Sequence, residues 1–211
     1  VSGRRRAGPA AILLLGLLAT LVLPRPALAL AGGLDQASAG LTALAAGEFR
    51  KSVSLLTQAI DSNELPEGKA YLFFAARGYA RAAQGDYKAA IVDYTAALAA
   101  NPDYTPALFN RGNAYFSMQR YDQAIGDYSK VLEVDAQDAK ALNNRGAAWF
   151  RKGNLQSALA NYAMAIKIDP EDPDVLLNRG KVYEAMGETD KAREDFLRIK
   201  RIDPSSKTPL D

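Results

Sequence analysis

Asn110, Asn144 and Asn178 recur at intervals of 34 residues, and their chemistry is recognition rather than reaction. Each amide offers both a donor and an acceptor, so it can pair with the N–H and C=O of an extended peptide while ignoring that peptide's sequence. Repeated on successive parallel helices, the three would form a ladder along a groove. Beside them lie Tyr79, Phe109, Asn113, Phe116, Asn143, Phe150, Arg151, Leu177 and Lys181. Aromatics exposed in such a groove would be binding anchors, because each buries a large apolar area on contact. Two plainer alternatives stay open at this level. Asparagine is tolerated at many helix surfaces, and Phe150, next to Trp149, equally suits packing against a neighbouring segment.

Reactive chemistry is hard to assemble from the rest of the chain. Cysteine and histidine are both absent, which removes disulfides, thiolate nucleophiles, imidazole acids and bases, and Cys/His metal sites. The acidic residues scatter, and the cluster Glu171-Asp172-Pro173-Asp174 reads as a turn and helix cap. There is no glycine-rich phosphate loop and no calcium-loop spacing. The sequence therefore predicts no catalytic residue, no metal and no cofactor.

The elements that must carry the asparagines are set by the same period. Gly78, Gly112, Gly146 and Gly180 stand 34 apart, as do Ala90, Ala124, Ala158 and Ala192. Phe74, Leu108, Leu142 and Leu176 precede the glycines, and Tyr94, Tyr128, Tyr162 and Phe196 follow the alanines. Leu108, Gly112 and Tyr115 are spaced i, i+4, i+7 and so share one helical face, where glycine lets a second helix approach closely. Ala124 is small for that contact, and Tyr128 fills the space beside it. Gly85, Gly153 and Gly187 fall between the paired helices, where a tight turn wants positive φ; Gln119 departs from this. Thr105-Pro106 and Asp172-Pro173 each place a capping side chain before a proline at the first helical position. Pro102, Pro170 and Pro204 close three units, with Ala136 in the fourth place.

This pattern resembles the tetratricopeptide repeat over residues 71–104, 105–138, 139–172 and 173–204, with a divergent first hairpin at 33–70 and a tail at 205–211. The resemblance implies an all-α, right-handed superhelical solenoid of antiparallel helix hairpins whose first helices line a concave groove. It also implies the asparagine column as a peptide-holding one, since family members use asparagines there. The divergent hairpin is marked by Gly40, which lies 38 residues before Gly78, so about four extra residues are expected between Asp61 and Ala70. The family's carboxylate clamp does not fit: Phe109, Asp174 and Asn178 stand where its basic residues would be.

Arg77, Arg111, Arg145 and Arg179 occupy the column before glycine, where the family usually has leucine, and Arg81 replaces an aromatic in the first regular unit. Asp93, Asp127, Asn161 and Asp195 recur on the second helices, which predicts an inter-helix ladder of pairs. If exposed, each would contribute up to about 1 kcal/mol. In the last unit Arg193 and Lys200 replace apolar residues of the earlier units and would make a polar cap.

Arg4-Arg5-Arg6, an apolar run from Ala10 to Leu23 and small residues up to Ala31 form a signal-peptide layout over residues 1–31, with cleavage after Ala29 or Ala31. The run is shorter than the roughly twenty residues of a spanning helix. Arg6 is followed by Ala7-Gly8-Pro9, which favours the general secretory route over the twin-arginine one, and Val1 suits an alternative start codon and a bacterial source. The chain has 26 basic and 24 acidic residues, but Arg4, Arg5, Arg6 and Arg25 belong to that leader. The remaining body is slightly acidic, with no global attraction to nucleic acid or anionic lipid. The expectation is a periplasmic or secreted, monomeric, non-enzymatic scaffold that binds an extended segment of another protein in its groove. The alternative is a structural component that joins an envelope complex through its divergent N-terminal hairpin.

Overall fold

The computed structural model describes residues 32–211, in which every regular element is an α-helix. The expected signal peptide lies outside the described residues. The helices are α1 Gly33–Ala45, α2 Phe49–Asp61, α3 Ala70–Ala83, α4 Tyr87–Ala100, α5 Thr105–Ser117, α6 Tyr121–Val134, α7 Ala139–Arg151, α8 Leu155–Ile168, α9 Pro173–Ala185 and α10 Thr189–Ile202. They fall into two compact units, the first ending at Ala114 and the second running from Tyr115 to Asp211.

Each hairpin is turned by one backbone device. At the end of α3, Asp86 N–H donates to the Arg81 carbonyl at 3.0 Å and Gly85 N–H to Ala82 at 2.9 Å, with Gly85 at φ +84°. This closure satisfies carbonyls that the helix end would otherwise leave open. It recurs after α5, α7 and α9, where Arg120 bonds Tyr115, Asn154 bonds Trp149 and Glu188 bonds Tyr183. Gln119 takes φ +60° at the position where the other turns have glycine, so the sequence departs there while the backbone does not.

Helix starts follow local side-chain chemistry. Asp86, Asp138 and Asn154 accept from backbone N–H groups of the first turns of α4, α7 and α8, and Asp172 accepts from Asp174 and Val175 ahead of α9. Thr105 is a correction. It is already the first residue of α5, because the Tyr104 carbonyl receives the amides of Ala107 and Leu108. The Tyr104 ring, buried and edge-on to Tyr71 at 4.9 Å, fixes the chain one residue earlier than the threonine signal implies.

In the first unit, Leu56 and Ala59 of α2 pack with Phe73 and Ala76 of α3, and Ala37 of α1 joins them. The α2–α3 connection spans 62–69 where the α4–α5 connection spans 101–104. The added length reaches back to cap α1, since Gly33 N–H donates to Glu64 Oε2 at 2.6 Å. In the second unit, Leu142, Ala158, Tyr162, Val175 and Val182 form a core linking α7, α8 and α9, and Leu176, Ala192, Phe196 and Ile199 continue it into α10. The glycine columns lie under the aromatic rings. A Cβ at Gly78 would stand 2.9 Å from Tyr94, and one at Gly146 would stand 2.8 Å from Tyr162, so the close approach at each glycine is made by the aromatic ring.

Arg193 is exposed, whereas Lys200 is tied. Its Nζ pairs with Asp211 at 2.6 Å, Asp211 accepts from Thr208 N–H, and Thr208 is buried. The tail therefore folds back onto α10.

Candidate functional site

The first helices are held to the second helices by the arginine column. Arg77 Nη2 donates to Asp93 Oδ1 at 2.8 Å and its Nε to Oδ2 at 3.1 Å, and Arg81 Nη1 shares Oδ2 at 2.9 Å. Arg179 Nε meets Asp195 at 2.8 Å, and Arg145 Nε donates to Asn161 Oδ1, also at 2.8 Å. These are not surface pairs. Asp93 and Asp195 are 1% and 2% exposed, so the small contribution of an exposed pair does not apply to them. Buried, such a pair makes the loss of one partner costly, because the other charge is left without compensation.

The arginines also reach backwards. Arg77 Nη1 donates to Thr57 and Arg111 Nη1 to Thr95, both at 3.1 Å, and Arg145 Nη1 to Ser129 at 3.0 Å. Each thus bridges the second helix of the preceding hairpin. Thr95 and Ser129 sit 16 residues before their arginines, while Thr57 sits 20 before Arg77, which is the long α2–α3 connection expressed as a register change. Ala163 takes the corresponding place before Arg179, so that arginine lacks this tie. Burial lowers the pKa of Arg145, whereas hydrogen bonding to Asp195 raises that of Arg179 against its own desolvation.

The predicted groove residues divide by unit. In the first, Tyr79 and Phe109 are half-buried, Asn113 is half-buried and Asn110 is only 8% exposed. Asn110 is therefore a packed residue rather than an open rung, a correction to the ladder. Tyr79 lies close to Tyr94, whose phenol is pushed well up by burial first, then by Tyr79 and Asp93.

In the second unit the amides are linked to the fold and to each other. Asn144 hydrogen-bonds the Tyr128 phenol, which offsets part of the rise that burial imposes on that hydroxyl. Asn178 Nδ2 on α9 donates to Asn143 Oδ1 on α7 at 3.0 Å. Among the described residues that is the pair's one side-chain bond, leaving Asn178 Oδ1 as an acceptor and Asn143 Nδ2 as a donor for something else. Phe150 and Leu177 are half-buried against core clusters, so packing explains them. Phe116 meets Tyr121 edge-on at 5.5 Å, and the Arg151 guanidinium lies 5.6 Å from the Tyr121 ring centroid. Arg151 and Lys181 are exposed.

Sequence reasoning missed Tyr121, the hydroxyl column and the Asn143–Asn178 bond. The spacing of Thr95 and Ser129, 34 residues, was the available signal for the hydroxyls. Two clefts of about 390 and 600 Å³, one along α1 and the start of α2 and one at the α2–α3 connection, are lined by none of the predicted site residues. Among the described residues no group of acidic side chains is placed to hold a metal ion, and no helix is long and apolar enough to cross a membrane.

Comparison with known proteins follows the same lines. Family profiles described as tetratricopeptide repeat match residues 109–173 and 150–207, and one described as TPR repeat matches 78–119. No curated protein matches the chain in sequence. Among solved structures, "MamA 41-end from Desulfovibrio magneticus RS-1" superposes with a TM-score of 0.76 at 18% identity, covering 83% of this chain and 97% of that one. "MamA MSR-1 C2" gives 0.71 at 21% identity over 83% and 98%. A tetratricopeptide repeat protein from Parabacteroides merdae ATCC 43184 gives 0.75 at 18% identity over 82% and 68%. At these identities the likeness is one of fold.

Proposed function

The chain belongs to the tetratricopeptide repeat family, and on that premise we propose that it is a non-catalytic scaffold holding an extended segment of another protein across α7 and α9. The observation that carries this reading is the Asn143–Asn178 bond. It fixes two amides side by side and leaves one acceptor and one donor unused, the complement of a single residue's N–H and C=O in an extended chain. Because the pair is already joined, little side-chain entropy is lost when a peptide docks. Arg145 and Arg179, tied to α8 and α10, hold the two helices that present it.

The test is selection of short random peptides on the full chain, followed by binding of the recovered sequences and of copies N-methylated along their backbones. Methylation at one residue and the double substitution Asn143→Ala/Asn178→Ala should each abolish binding while leaving the helical circular dichroism unchanged. Binding that survives both would exclude main-chain recognition by this pair.

Export to the cell envelope belongs to the same proposal, supported by the basic, apolar and small-residue order of residues 1–31. N-terminal sequencing of the chain recovered from its host checks it. An intact leader on cytoplasmic protein would overturn it.

A further inference from the structure

We infer that the segment held on α7 and α9 carries an acidic side chain, and that the Arg151 guanidinium takes its carboxylate. This rests on the peptide-binding reading above. α7 carries two arginines with opposite fates. Arg145 is used by the fold, bonded to Asn161 and Ser129. Arg151, exposed in the last turn, holds its guanidinium over the ring of Tyr121, which Phe116 meets edge-on. Among the described residues Arg151 makes no hydrogen bond and no ion pair, whereas the adjacent Lys152 is neutralised by Asp122. The N–H fork of Arg151 is thus uncommitted, and such a fork receives a carboxylate through two parallel bonds.

Charge along the two helices gives the segment a direction. Lys181, exposed one turn beyond Asn178, also lacks a partner among the described residues, and Glu184 forms no ion pair with either cation. Asp174, one turn before Asn178, is exposed and negative. An acid on the ligand is thus favoured towards Arg151 and opposed towards Asp174. Asn143 and Arg151 are about 12 Å apart along the helix axis, a distance that an extended chain covers in about three or four residues. The acid therefore sits that far from the residue whose main chain meets the asparagine pair.

The peptides recovered on the full chain supply the probe. Fluorescence anisotropy is measured for each peptide and for a copy with its Asp or Glu changed to Asn or Gln, against wild type, Arg151→Ala, Arg151→Lys and Asn143→Ala/Asn178→Ala. The recovered set should be rich in acids at the stated spacing. Arg151→Ala should weaken the acidic peptides about tenfold, leave their amide copies unchanged, and be only partly rescued by Arg151→Lys. Recovery without acidic enrichment, or equal weakening of acidic and amide forms, overturns the inference. If that binding is still lost in the double asparagine variant, the main-chain reading stands without it. Acid-dependent binding that ignores the asparagine substitutions would instead support Arg151 and overturn the main-chain reading.

Discussion

Arg77 of α3 grips the carboxylate of Asp93 on α4 through two nitrogens, inside the hairpin, where Asp93 is 1% exposed. Arg81 adds a third contact to the same group, so the basic residue that replaces an aromatic in this unit has a structural use. Removing the acid leaves two cations over a desolvated gap. Asp93→Ala should lower stability by about 3–5 kcal/mol, read as a shift of the urea midpoint. Asp93→Asn should cost less, because Asn161 already serves Arg145 from the corresponding place on α8. Equal losses for the two substitutions would mean that the lost charge alone sets the cost, and that an amide acceptor of the kind Asn161 offers Arg145 does not serve in this hairpin.

Ser52 offers the opposite case. It lies on α2 at the place that Ala90 takes on α4, fully buried, and its hydroxyl has no hydrogen-bond partner among the described residues. A buried polar group without a partner costs about 1–3 kcal/mol. Ser52→Ala should therefore stabilise the chain by about 1 kcal/mol, and chemical denaturation of the two proteins side by side would detect it. A loss of stability would mean that the hydroxyl is satisfied in solution.

Columns read at a fixed period report what repeats within a hairpin. That is why Gly146 beneath Tyr162, the Asp172 cap and the Arg77–Asp93 pair were legible in the sequence. They say less about bonds between hairpins. Arg145 reaches Ser129 in the preceding hairpin, and Asn178 meets Asn143 one repeat and one residue away, so each bond joins two columns that look independent. Burial is equally hidden. Asn110, Asn144 and Asn178 form one column in sequence, yet the first is buried, the second bonds a tyrosine and the third bonds another asparagine.

The aromatic column also predicts alkaline behaviour. Burial, with a smaller push from Tyr71, raises Tyr104 from 10.0 to about 12. Burial raises Tyr94, Tyr128 and Tyr162 as well. Folded phenols therefore hold their protons more tightly than unfolded ones. Their stabilising contribution is complete below about pH 10 and is lost as pH rises through the folded values. Helical circular dichroism should hold to about pH 10 and then fall cooperatively, with the last phenolate absorbance appearing only as the helices melt. Full ionisation with helices intact would contradict this.

Gln119 tests whether the turn is indifferent to sequence or strained by it. Its φ of +60° matches the left-handed geometry of Gly85, Gly153 and Gly187, at +84°, +81° and +77°. A side chain in that region costs about 1–2 kcal/mol, and the greater freedom of glycine in the unfolded chain returns part of this. Gln119→Gly should thus stabilise by about 0.5–1 kcal/mol. The reverse change at Gly153, where an added Cβ meets nothing within 4 Å, isolates the backbone effect from packing, and Gly153→Ala should destabilise by a similar amount. Thermal unfolding of both variants gives the signs. Two changes of the same sign would show that something other than φ governs the turn.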